Sequence, residues 1–258
     1  MRCSLVPLVA LSAVCVLSGA LIAPAHAQIV TFSGSDAGVG PGDPRPQSDG
    51  AAAAFDSAAA AIGTGTLVTF ENAPVGSFTN LTVAPGVSIN GTDYTGAQQS
   101  VQNAPQGTPV NLYGYNTTAG GANYVFVLAG DVTFTFAQPI QYFGAYFTGI
   151  QNSGQTVNFN DGTPRSLVLP NVGDGATFFG FTDIGASITS ITINTRSPVN
   201  GGGDFIGIDD VRFGPAAVTP GAVPEPSEWL AMGMAGTSLG GLMVRARVRR
   251  RRQSALAA

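Results

Sequence analysis

Residues 132–150 read VTFTFAQPIQYFGAYFTGI, and this stretch decides the fold class. Val132, Phe134 and Phe136 alternate with Thr133 and Thr135, the period-two pattern of a strand with one face buried and one wet. From 140 to 150 the pattern continues as a long strand carrying Tyr142, Phe143, Tyr146 and Phe147. Downstream, residues 156–159 and 166–169 flank Asn160-Asp161-Gly162, whose Asp-Gly pair predicts a hairpin. Residues 177–181, 188–193 and 205–213 complete the series. Turn signals at this spacing, in a body rich in Gly, Thr, Asn, Val, Ile and Phe, predict an all-β chain: a β-sandwich, jelly-roll-like in plan.

One segment departs from this pattern. Ser48 or Asp49 is placed to cap an alanine-rich run over 51–62, with Phe55 and Ile62 on its apolar side. Before it, residues 33–47 contain Gly-Pro-Gly-Asp-Pro-Arg-Pro and read as a loop. Residues 33–65 are therefore expected to be a loop and a short helix packed on the sandwich. The body, 28–213, is long enough for one substantial core and reads as a single domain. Residues 214–222, rich in Pro, Ala and Gly, read as a spacer. No internal repeat is present.

The N-terminus reads as an export signal. Arg2 precedes an apolar run over 5–23, and Pro24-Ala25-His26-Ala27 precedes Gln28. Ala25 and Ala27 form an A-x-A site, so residues 1–27 are expected to be removed as a secretory signal peptide. Cys3, Cys15 and His26 are the chain's whole complement of Cys and His, and all three leave with that segment. No lysine occurs anywhere. A mature chain without Cys, His or Lys has no Ser-His-Asp or Cys-His nucleophile, no Schiff-base lysine, no disulfide and no ordinary zinc site. Between residues 28 and 222 stand thirteen acids against four arginines, Arg45, Arg165, Arg196 and Arg212. That acidic balance disfavours nucleic acid and anionic polymers as partners and suits hard cations.

The C-terminus has three parts. Pro224 and Pro226 hold Glu225 in an extended segment that neither helix nor sheet accommodates. Residues 229–244, which include Trp229, Leu230, Leu239, Leu242 and Val244, carry no charge and read as a short transmembrane anchor. Arg245, Arg247, Arg249, Arg250, Arg251 and Arg252 follow, and would keep that end cytoplasmic with the body outside. In order and placement these parts resemble the PEP-CTERM sorting signal of Gram-negative bacteria. Ala246 and Val248 interrupt the basic run, and residues 253–258 trail beyond it as a tail. The resemblance covers residues 223–252. It implies an exosortase as processing partner, Pro224, Glu225 and Pro226 as recognition residues, an inner-membrane-anchored precursor, and a destination at the cell surface or in an exopolysaccharide or biofilm matrix.

The ends of the body hold the site-like residues. On a regular final strand Phe205, Gly207, Asp209, Val211 and Phe213 share a face, which sets a carboxylate among core residues. A buried carboxylate needs a partner or a cation. Asp209 or Asp210 is expected to pair with Arg212 or Arg196, to bond to backbone amides, or to bind a cation. The last strand and the Phe70-Glu71 pair loosely resemble jelly-roll carbohydrate-binding modules, which implies a structural calcium held by Glu71 and Asp209, with Asp210 as an alternative. By the same resemblance Tyr113 and Tyr115, in a Gly/Asn-rich loop, are the sugar-stacking candidates, followed by Tyr94 and Tyr124.

Glu71 is the one glutamate of the body, and no acidic pair stands in a context that suggests a raised pKa. The sequence thus offers no catalytic residue and reads as a non-enzyme: an exported matrix or surface protein. A carbohydrate-binding module is the alternative and a glycoside hydrolase the third reading.

Overall fold

The computed structural model describes residues 28–171, 173–196 and 203–215. The expected signal segment 1–27, most of the expected spacer 214–222, the expected sorting signal 223–252 with its anchor, and the tail 253–258 lie outside the described residues. Among the described residues no helix is long and apolar enough to cross a membrane.

The chain begins with β1 (Val30–Asp36), α1 (Pro46–Ile62), β2 (Thr66–Val68), β3 (Gly76–Ser77), β4 (Leu81–Ala84) and β5 (Val87–Thr92). It continues through β6 (Ser100–Gln102), β7 (Tyr124–Leu128), β8 (Asp131–Thr148), β9 (Thr156–Asn160) and β10 (Pro164–Val168). The last elements are β11 (Ala176–Thr182), β12 (Ile188–Asn194) and β13 (Phe205–Pro215). All strand pairs are antiparallel, so the all-β expectation holds, with one helix.

β8 organises everything else. Residues 132–136 and 140–148, which read as two strands, are one continuous strand that changes partners midway. Its first half lies between β5 and β12, with Phe134 opposite both Ile89 and Ile191. Its second half lies between β11 and β13, with Phe143 opposite both Phe181 and Phe213. Pro139, which has no N–H for a ladder, falls at the changeover. The inner faces of the two halves meet in a single core. Phe134 approaches Phe143 at 5.5 Å, Phe136 approaches Phe213 at 5.1 Å, and Phe159 stacks on Phe181 at 4.3 Å.

The outer face of the second half is roofed by α1. Tyr142 and Tyr146 point there, and with Phe178 they pack against Ala52, Phe55 and Ala59. Gly144 and Gly180 are paired across β8 and β11, directly beneath Phe55. A methyl at Gly144 would stand 3.1 Å from the Phe55 ring and 2.9 Å from Phe178, so the two glycines are the seat of that ring.

Two expectations for the N-terminal region need correction. Residues 33–36 are not loop: they end β1, which adds to the open edge of β11 over Val30–Asp36. Val30 to Ser33 alternate, but Gly34 to Asp36 add no large apolar side chain, and the strand forms because β11 offers an unpaired ladder. Gly34 lets the strand pass beneath α1, where an added Cβ would strike the Gln47 carbonyl.

The helix also starts earlier, at Pro46, and neither Ser48 nor Asp49 caps it. Asp36 does so from β1. Its Oδ1 accepts the Gln47 N–H at 3.1 Å, and its Oδ2 accepts the Ser48 N–H at 2.8 Å and the Ser48 hydroxyl at 2.7 Å. Burial pushes the Asp36 carboxyl up, but the Ser48 and Gln47 donors and the Arg45 charge outweigh it and hold the carboxyl below its ordinary value. Asp36→Ala is expected to cost about 1–2 kcal/mol, the cost of losing a helix cap. Urea unfolding at pH 7 measures it; a midpoint equal to wild type would show that the cap contributes nothing.

Candidate functional site

Asp209 occupies a different place from the one a regular strand predicts. Along β13 the pairing with β8 runs Asp209 to Tyr146 and then Arg212 to Gly144, so one extra residue is inserted. Asp210 takes it up at φ 48°, a β-bulge with a left-handed residue. The bulge reverses the side-chain alternation. Before it Ile206 and Ile208 enter the core; after it Val211 and Phe213 do. Phe205, Gly207 and Asp209 therefore face the opposite side, away from Val211 and Phe213. Asp209 is buried there, 1% exposed, under the connection between β6 and β7.

That connection is clasped by three carboxylates. Asp209 Oδ2 accepts the N–H groups of Thr117 at 2.7 Å and Thr118 at 3.0 Å, and both threonine hydroxyls, at 3.0 and 3.3 Å. Asp210 Oδ1 accepts the Thr118 hydroxyl at 2.8 Å. At the other end of the loop, Glu71 Oε1 accepts from Asn116 Nδ2 at 2.8 Å, and the Glu71 carboxylate also takes the N–H groups of Ala122 and Asn123. Arg45, at the start of α1, donates to the Thr117 carbonyl at 3.1 Å and lies over the Tyr146 ring at 4.8 Å. Tyr146 in turn donates to Asp49 at 2.6 Å.

Of the three fates open to Asp209, bonding to backbone amides is the one observed. Arg212 pairs instead with Asp56 at 3.1 Å, and Arg196 with Asp131 at 3.4 Å. Glu71, Asp209 and Asp210 do not form a calcium centre. Among the described residues no group of three or more His, Cys, Asp or Glu gathers to hold a metal. Glu71 and Asp209 are separate anchors: Glu71 holds Asn116 and the amides of Ala122 and Asn123, and Asp209 Oδ2 holds Thr117 and Thr118.

An acidic pair with a displaced pKa is nonetheless present, contrary to the sequence reading. Burial first, and the neighbouring Asp210 charge second, push Asp209 up to about 7 against the Thr117, Asp210 and Thr118 amides. Its Oδ1 has no hydrogen-bond partner. The bulge that sets the two carboxylates side by side leaves no local signal in Ile208-Asp209-Asp210-Val211.

The stacking tyrosines are also relocated. Tyr115 is fully buried, and its hydroxyl donates to the Val39 carbonyl at 2.8 Å. Tyr113 is half-buried and sits edge-on against Phe205 at 5.2 Å. Tyr124 is buried and donates to the Ala104 carbonyl, whereas Tyr94 is 59% exposed. Tyr115 presents no free ring face as a platform, and Tyr113 is half-buried beside Phe205.

Above the clasped loop lies a cleft of about 470 Å³. Asp43, Arg45, Asn103 and Asn116 supply its polar side chains, and residues 117–122 form one wall. Its size suits a small polar ligand.

No family model matches the chain, and no curated protein matches it in sequence. Solved structures match in part. The catalytic domain of a GH87 α-1,3-glucanase in complex with nigerose aligns with 63% of this chain and 30% of its own, at 15% identity and a TM-score of 0.29. The enzymatically active domain of tailspike protein 4 of bacteriophage CBA120 aligns with 50% of this chain and 19% of its own, at 15% identity and TM-score 0.28. A thermostable GH87 α-1,3-glucanase catalytic unit from Streptomyces thermodiastaticus aligns with 52% and 28%, at 14% identity and TM-score 0.26. The chain thus spans less than a third of the length of each. These neighbours are catalytic domains, and they overturn the expectation of a non-enzyme, which is set aside. At such scores they bring no activity, substrate or residue role to this chain.

Proposed function

We propose that the protein is exported and sorted through its C-terminal PEP-CTERM signal by an exosortase, to act at the cell surface or in an exopolysaccharide or biofilm matrix. The precursor is anchored in the inner membrane with its body outside. The observation that carries this reading is the order of the C-terminal parts: Pro224-Glu225-Pro226, the uncharged run over 229–244, then six arginines. The acidic, lysine-free body accords with it, since such a surface repels nucleic acid and other polyanions. In finer detail, the two half-sheets sharing β8 are read as a β-sandwich of jelly-roll type.

A carbohydrate-binding domain is the second reading, favoured by the cleft beside residues 116–122. Asp43, Arg45, Asn103 and Asn116 offer donors and acceptors of the kind that fix sugar hydroxyls.

Intact mass and C-terminal peptide mapping of the protein from the producing cells test the sorting reading. The expected mature C-terminus lies near Pro224-Glu225-Pro226, with the arginine cluster gone. A chain intact through Ala258 in the membrane fraction would sink the processing step and leave a plain membrane-anchored domain.

A further inference from the structure

The outer face of the first half-sheet differs from the one roofed by α1. Neither α1 nor any described strand packs on it. Register places Asn90, Thr133, Thr192, Asn158 and Ser166 in one row across β5, β8, β12, β9 and β10. Ser88, Thr135 and Ser190 form the row beside it. All of these are half or fully exposed, while their neighbours in each strand face the core or the sheet edge. With strands about 4.8 Å apart and alternate residues about 7 Å apart, the longer row extends roughly 19 Å.

We infer that this face binds a chain of neutral polysaccharide laid across the strands, an inference that rests on the exopolysaccharide reading above. Three observations lead there. First, the rows present hydroxyls and amides, groups that donate and accept as sugar hydroxyls do. Second, they are ordered before any ligand arrives. Thr133 and Thr192 share a hydrogen bond at 2.8 Å, Asn158 donates to Thr156 at 3.0 Å, and threonine is stiff at χ1. Little rotamer freedom is left to lose on binding.

Third, the charge pattern selects the partner. Asp131 is the one charged residue at the outward positions of these strands, and it meets Arg196 at 3.4 Å. A neutral face on a body with thirteen acids and four arginines repels an anionic polymer and accepts an uncharged one. The rows also lack aromatic, Met and Arg side chains, the usual anchors of a protein interface. Of the tyrosines, Tyr115 and Tyr124 are inside the domain and Tyr113 is pressed against Phe205, while the exposed Tyr94 stands outside these rows.

Affinity electrophoresis of the full chain in neutral detergent tests the inference. The probes are dextran, hydroxyethylcellulose, anionic alginate and the polysaccharide secreted by the producing cells. Replacing Thr133→Val and Thr192→Val together removes both partners of one hydrogen bond and keeps the β-branched shape, so the fold is retained. That double variant is expected to weaken retardation by the neutral polymers at least tenfold. Asn158→Ala should weaken it in the same direction, Ser57→Ala on the outside of α1 should leave it unchanged, and alginate should retard none of them. Unchanged retardation of both face variants, loss confined to Asn103→Ala in the cleft, or retardation by alginate alone would overturn the face and leave the matrix reading standing. If even the secreted polysaccharide fails to retard the wild-type chain, the exopolysaccharide association itself is overturned.

Discussion

Acidification from about pH 7 to pH 4 should stabilise the domain, and Asp209→Asn should remove most of that gain. Folding raises the Asp209 carboxyl from the ordinary 3.8 to about 7, through burial first and the Asp210 charge second. The folded state therefore holds a proton that the unfolded chain has released. Its contribution is fully present below about pH 4 and is lost as the pH rises through about 7. At about 1.4 kcal/mol per pH unit, the whole effect is on the order of 4 kcal/mol. Asp204 acts in the same direction, since burial raises its carboxyl against the amides of Asn152, Gln151 and Phe205.

Below about pH 4 the trend reverses. Asp36 and Asp93 are held under their ordinary value, Asp93 first by the Thr95 hydroxyl, and their contributions fade as they take up protons. Stability should thus peak near pH 4. Urea unfolding across pH 3–8 measures the profile. Equal slopes for wild type and Asp209→Asn between pH 4 and 7 would refute the assignment. Asp209→Ala is the contrasting case: it strands the Thr117 and Thr118 amides, at about 1–3 kcal/mol for each unsatisfied group.

Phe55→Ala should cost about 3–5 kcal/mol, as other buried phenylalanine truncations do. The ring is fully buried and makes contacts with Phe32 at 5.8 Å, Tyr142 at 5.9 Å and Phe178 at 5.4 Å. α1 has few other large apolar groups, since Ser48, Ala52 and Ala59 are its other buried residues. Losing Phe55 leaves a void above Gly144 and Gly180 that two paired backbones have no means of filling. The helix should loosen before the sheets do, because the core between the half-sheets contains no residue of α1. Hydrogen exchange of the α1 amides, read beside the urea midpoint, checks this. A loss below about 1 kcal/mol with α1 still protected would show that alanine packing alone holds the helix.

Several features were legible in the sequence for definite reasons. The Val132-Phe136 alternation, the Asp161-Gly162 turn and the alanine run around Phe55 are local patterns, and each produced its element. The hairpin needed a three-residue loop, with Pro164 opposite Asn160. That Asp209 on an apolar strand needs a partner or a cation was legible too, but not which of the two.

The errors share one physical cause. Strand β1 exists because β11, far along the chain, has a free edge. The α1 cap comes from Asp36, outside the helix. Tyr115 reads as an exposed loop residue, yet its ring is buried and its hydroxyl reaches Val39. For the site, one inserted residue at Asp210 moves Asp209 from one side of the strand to the other and sets it against Thr117 and Thr118.

Hydrophobic period, turn chemistry and the absence of Cys, His and Lys from the body act over a few residues or over composition, so the sequence alone determined the β-rich class, the helix and the excluded chemistries. Which carboxylate faces which amide, and which sheet face stays open, depends on register between distant strands. A one-residue slip there inverts every side chain that follows, and only the tertiary structure decided it.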